Sequence, residues 1–152
     1  MTKYFKRFFI AAAFIFINGL ILPPAHAGGT EYFTYVALLN NSGVEVTLQN
    51  MSLTSGVFDQ VFSDFSPESG THTDTVIKSS GFGVTTLTFD ARRSDFAHPD
   101  RCRFTVRAST SDGDLLSASG VALFPNTGNT TCTVNTELSH PLLNQVIFDM
   151  RS

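Results

Sequence analysis

Long apolar runs are scarce in this chain. Among its 152 residues the one extended stretch is Phe8–Leu22, and Asn18 and Gly19 interrupt it. A membrane-spanning helix needs roughly 20 apolar residues, so this shorter, interrupted run fits a retained anchor, the rival reading, less well than a cleaved signal. It follows Lys3, Lys6 and Arg7, and it precedes Pro23, Pro24 and the small-x-small triplet Ala25-His26-Ala27. A basic start, an apolar middle and an A-x-A end make up a cleavable secretory signal. Cleavage is expected after Ala27, which leaves 28–152 as a single exported domain, periplasmic or extracellular. The residue directly after the cleavage site is Gly28, not a cysteine, which argues against lipoprotein processing.

Charge is also sparse, at 15% of residues. Three of the ten basic residues and none of the thirteen acidic ones fall in 1–27, so the mature part carries 7 against 13, a formal charge of −6. That balance suits solubility and speaks against general nucleic-acid binding.

Cysteine is limited to Cys102 and Cys132. There is no C-x-x-C spacing and no His beside either one, so a redox or metal pair is not expected. In an exported chain an isolated pair is expected to form one disulfide. Closing a loop of about 30 residues would contribute roughly 3–4 kcal/mol in the chain-entropy account. No G-x-S-x-G elbow, H-E-x-x-H pair or phosphate loop occurs, and no cofactor, metal or catalytic residue is indicated. Asn40, Asn50 and Asn129 head N-x-S/T sequons, which matter only in a host that glycosylates its exports.

What remains is a series of short period-2 runs divided by Gly, Ser, Asn, Asp and Pro. That pattern indicates an all-β fold, an antiparallel sandwich of seven or eight short strands. Glu31–Leu39 is apolar on both faces and should be central or covered. Val44, Val46 and Leu48 alternate with Glu45, Thr47 and Gln49. With the turn-forming Asn40-Asn41-Ser42-Gly43 between them, these two runs should form a hairpin. Further strands are expected at Thr71–Ile77, Val84–Phe89, Cys102–Ala108, Leu115–Leu123, Thr130–Thr136 and Gln145–Met150, with Ser111–Asp114 turning a second hairpin. Alternation directs both sulfurs to the apolar side.

One segment departs from period 2. Phe58, Val61, Phe62 and Phe65 fall at helical spacing behind Ser55. They are expected either to form a short helix or coil packing over one end of the sandwich, or to offer Phe58, Phe62 and Phe65 as an apolar contact for a membrane or partner. The flanking Asp59, Asp64 and Glu68 disfavour anionic lipid. Asp90–Arg101, with Asp90, Asp95, His98 and Asp100 beside three arginines, could act as a metal or acid–base loop but shows no regular ligand spacing. Asp112 and Asp114 around Gly113 could hold calcium or form a tight turn.

Five of the seven mature basic residues lie within Arg92–Arg107. Alternation places Arg101, Arg103 and Arg107 on one outward face. Guanidinium groups bind carboxylate, phosphate or sulfate in bidentate fashion, so this stripe is either a solvated sheet face or the contact for an anionic surface or protein partner.

The stretch Tyr35–Phe58 carries V-x-L-x-N-x-S at Val36–Ser42, V-x-L-x-N at Val46–Asn50 and S-G-x-F at Ser55–Phe58. It resembles the opening of the aegerolysins. That resemblance implies a small β-sandwich that binds particular membrane lipids; the family is rich in tryptophan, and this chain has none. Three functional classes follow: a non-catalytic envelope or secreted binding domain, a membrane-active sandwich, and a small secreted hydrolase using the Asp90–Asp100 loop.

Overall fold

The computed structural model describes residues 31–79, 83–95, 100–110, 112, 114–123, 130–140 and 143–152. The proposed signal and its cleavage site lie outside these residues, as do His98, Gly113 and Asn129. Nine strands are described: β1 Tyr32–Asn41, β2 Val46–Thr54, β3 Gly56–Gln60, β4 His72–Ser79, β5 Val84–Arg93, β6 Arg101–Ser109, β7 Leu115–Leu123, β8 Thr131–His140 and β9 Leu143–Arg151. They form two sheets, ordered β3-β4-β1-β9-β8 and β2-β5-β6-β7. All pairings are antiparallel except β1 with β9, which is parallel.

The core fills the space between the sheets with alternate side chains from each strand. Val36 and Leu38 of β1 and Val146, Phe148 and Met150 of β9 meet Leu87 and Phe89 of β5 and Phe104 and Val106 of β6, all fully buried. Phe104 stacks on Phe148 with ring centroids 4.6 Å apart, and Phe89 sits edge-on to Phe148 at 5.8 Å. Gly120 lies opposite Phe104 on β7, where a Cβ would come within 2.8 Å of that ring. The glycine makes room for the aromatic. Cys102 on β6 and Cys132 on β8 form the expected disulfide, which ties one sheet to the other across a Cα separation of 5.7 Å.

The first expected hairpin does not form. β1 pairs with β4 and β9, whereas β2 pairs with β5 in the opposite sheet. Residues 40–45 are a corner between sheets, and Asn40 is the reason. Its side chain is buried, donates to Val44 O at 2.7 Å and Pro67 O at 2.9 Å, and accepts from both Ser42 N and Ser42 Oγ. An asparagine committed to four core hydrogen bonds turns the chain inward rather than back along β1. That burial also removes Asn40 as a glycan acceptor in the folded protein. The second expected hairpin, β6–β7, does form, and Asp112 Oδ1 accepts from Asp114 N at 3.1 Å within its turn.

Of the short helix or coil expected at 58–65, the coil is what occurs beyond β3, and no helix occurs among the described residues. β2 ends at Thr54, and the next residue, Ser55, has a φ of +53°. The chain then crosses tightly at Gly56, where a Cβ would lie 2.7 Å from Thr85 Cγ2, and enters β3 at the edge of the five-stranded sheet. Residues 61–67 continue as an extended strap. Ser63 N donates to Asp74 O of β4, then Leu48 N and Val46 N of β2 donate to Phe65 O and Pro67 O. The strap thus closes the β2/β3 side of the sandwich and satisfies the free edge of β2, a device that protects edge strands from further pairing. Phe58 packs from β3 and Phe62 from the strap, at 5.0 Å from Phe89; their helix-like spacing is a coincidence of strand plus strap.

Candidate functional site

The outer face of the four-stranded sheet is almost wholly polar. Its middle rows run Ser52–Thr88–Thr105–Ser119 and Thr54–Thr86–Arg107–Ser117 across β2, β5, β6 and β7. Next comes Gln49–Asp90–Arg103–Val121, and then Thr47–Arg92–Arg101–Leu123. Arg101, Arg103 and Arg107 all face outward here while Cys102, Phe104 and Val106 are buried.

The three guanidinium groups are not equivalent. Asp90, only 1% exposed although it belongs to the outward set, sits directly opposite Arg103 and receives its Nε at 2.8 Å and Nη2 at 3.0 Å. Asn50 Nδ2 donates to the same carboxylate at 2.8 Å, and Arg101 Nη1 lies 3.8 Å away. Asn50 reaches it because a bulge between Gln49 and Ser52 puts Asn50 at φ +52°. The Arg103 hydrogen bonds hold the Asp90 carboxyl below its ordinary pKa, against the opposing push of burial. Arg103 is therefore committed, whereas Arg107, with Thr86 and Ser117 as cross-strand neighbours, forms no ion pair among the described residues.

Register adds a residue that alternation along one strand could not supply. Arg92 of β5 lies directly opposite Arg101 of β6. Arg92, Thr47, Gln49, Arg93 and Ser94 line a cavity of about 220 Å³. Arg93 in that wall is held by Asp95, at 3.1 and 3.0 Å. Of the acidic loop residues, Asp90 and Asp95 are thus spent on arginines, and Asp100 is buried and accepts from Thr130 Oγ1. Among the described residues no group of three or more His, Cys, Asp or Glu is placed to hold a metal.

The strap side has a different character. Val57, Val61 and Phe65 are 51, 57 and 48% exposed, three of the five exposed large apolar residues of the described chain. Asp59, Asp64 and Glu68 are exposed among them. Of the aromatic residues in this segment, Phe62 is buried and Phe58 half-buried, so Phe65 with Val57 and Val61 is what reaches solvent. A second cavity of about 250 Å³ opens on the five-stranded sheet beside Leu39, Ile147 and Arg151. On the same outer face, burial and the neighbouring Asp74 raise the pKa of Tyr35.

No family model matches the chain, and no curated protein matches it by sequence. A solved structure does. The crystal structure of the lipid binding protein Nakanori aligns with a TM-score of 0.59 at 12% identity, covering 80% of this chain and 72% of that one. At that identity the likeness establishes a common fold: this chain shares its two-sheet architecture with a protein that binds lipid.

Proposed function

We propose that the chain is an exported binding domain that docks on lipid membranes through its β2/β3 side. The observation that carries this reading is the exposure of Val57, Val61 and Phe65 along β3 and the strap, where an ordinary sheet edge would be polar. The fold shared with a lipid-binding protein supports it. The disulfide suits an oxidising, exported environment. Asp59, Asp64 and Glu68 repel anionic headgroups, so the preferred surface is zwitterionic.

Burying a fully exposed apolar side chain contributes about 1.5–3 kcal/mol, so two half-exposed ones together should be worth roughly tenfold in affinity or more. The purified protein should co-sediment with phosphatidylcholine vesicles. A Val61→Ser, Phe65→Ser double variant should remain in the supernatant while keeping its thermal midpoint. Equal sedimentation of the double variant, or no sedimentation of the parent with any vesicle, would remove this reading and leave a protein partner as the ligand.

A further inference from the structure

We propose that Arg92 is the principal ligand of an oxyanion site on the outer face of the four-stranded sheet, one that takes a phosphate group. The proposal does not depend on membrane docking, because it concerns a different surface and different residues.

The first argument is electrostatic. Arg92 and Arg101 are directly opposed on neighbouring strands. Since Arg93 N donates to Asp100 O, the adjoining Arg92–Arg101 pair falls in the narrow, non-hydrogen-bonded class, where side chains stand closest. Like charges in that position disfavour the fold. Asp90 relieves the strain on one side only: it binds Arg103 through two bonds and draws Arg101 to 3.8 Å. The Arg92 side chain forms no ion pair or hydrogen bond among the described residues. Glu45 approaches the same end of the sheet through its backbone, where its carbonyl accepts from Ser94 N, yet it forms no ion pair with Arg92.

The second argument is shape. Arg92 lies in the wall of the 220 Å³ cavity, an open depression in the sheet face. Thr47, Gln49 and Ser94 share that wall with it, and each carries a side-chain group able to donate a hydrogen bond. A planar guanidinium fork with neutral donors beside it and a second positive charge across the strand matches a tetrahedral dianion. Arg107 provides the internal comparison. It is on the same sheet face and equally without an ion pair, but it stands in a row of hydroxyl residues with no second arginine opposite. Asp90 is a positioning residue in this scheme: it fixes Arg103 and Arg101 and so leaves Arg92 as the group that turns to an arriving anion.

The test is titration of the intact, disulfide-bonded protein with inorganic phosphate at low ionic strength, followed by calorimetry or amide chemical shifts. Arg92→Gln should weaken binding by about tenfold or more, as for loss of a charge-assisted bond, and should not lower the thermal midpoint. Arg92→Lys should keep only part of the affinity, since it preserves charge without the fork. Arg107→Gln should leave binding unchanged. Equal losses in the Arg92 and Arg107 variants would show a diffuse positive face and overturn the site, as would failure of the parent to bind phosphate. Vesicles of phosphatidic acid separate the two sources of the group. If Arg92→Gln also abolishes their binding and free phosphate displaces the parent, the ligand is a lipid headgroup. If vesicles are ignored while phosphate binds, it is a soluble phosphate ester. Either result upholds the site, and neither depends on Phe65.

Discussion

Asp90 shows how much a single side chain can decide. It occupies an outward position yet is covered by the residues that bind it, Asn50, Arg101 and Arg103. Arg103 is itself nearly half-exposed, so solvent screening limits what the pair contributes. Asp90→Asn is expected to cost about 1–3 kcal/mol at neutral pH, toward the low end of that range. The pH dependence has a definite sign. A folded-state pKa held below the unfolded value of about 3.9 contributes stability that is fully present above that pH. It is lost as pH falls through the depressed folded value. Denaturant midpoints of the parent should therefore drop between pH 4 and lower pH, and the Asp90→Asn protein should show a shallower slope there. Identical slopes would mean that Asp90 has no linked role.

Among the elements, β6 was the most legible in advance and β3 the least. Arg101–Ser109 alternates strictly, so its inward and outward sets follow from period 2 alone, and the partner of its cysteine followed from there being one other. The disulfide joins β6 to β8 in the opposite sheet, so Cys102→Ser should cost about 2–5 kcal/mol by chemical denaturation, with the sheets otherwise intact by circular dichroism. β3 is too short for alternation to register, and its one inward aromatic, Phe58, lined up with Phe62 and Phe65 of the strap to mimic a helix. The β1–β2 corner misled for a related reason. Asn-Asn-Ser-Gly is compatible with a hairpin by composition, and only the burial of Asn40, a tertiary fact, selects the crossing. The sequence places Arg92 in a charged cluster but not opposite Arg101, because register between strands is invisible to a single-strand pattern.

The molecule as a whole is a sandwich whose sides are closed by different means: the strap beside β2 and the disulfide toward β8. Its central sheet position belongs to β1, flanked by β4 and β9. β9 contributes Val146, Phe148 and Met150, all fully buried, and each such side chain is worth about 1.5–3 kcal/mol. Their sum is comparable with a typical domain's entire stability of about 5–15 kcal/mol. Deleting residues 143–152 should therefore abolish the cooperative thermal transition in calorimetry; a truncated protein that still melts sharply would place the stability elsewhere. The parallel register of Phe33–Asn41 with Leu143–Arg151 has a further consequence. It joins segments more than a hundred residues apart, and pairings of such high contact order form late and slowly. Until the final segment arrives, β1 lacks one of its two neighbours and the larger sheet stays open. A polypeptide wired in this way keeps one edge of β1 open to stray strand pairing, and so to aggregation, until β9 docks.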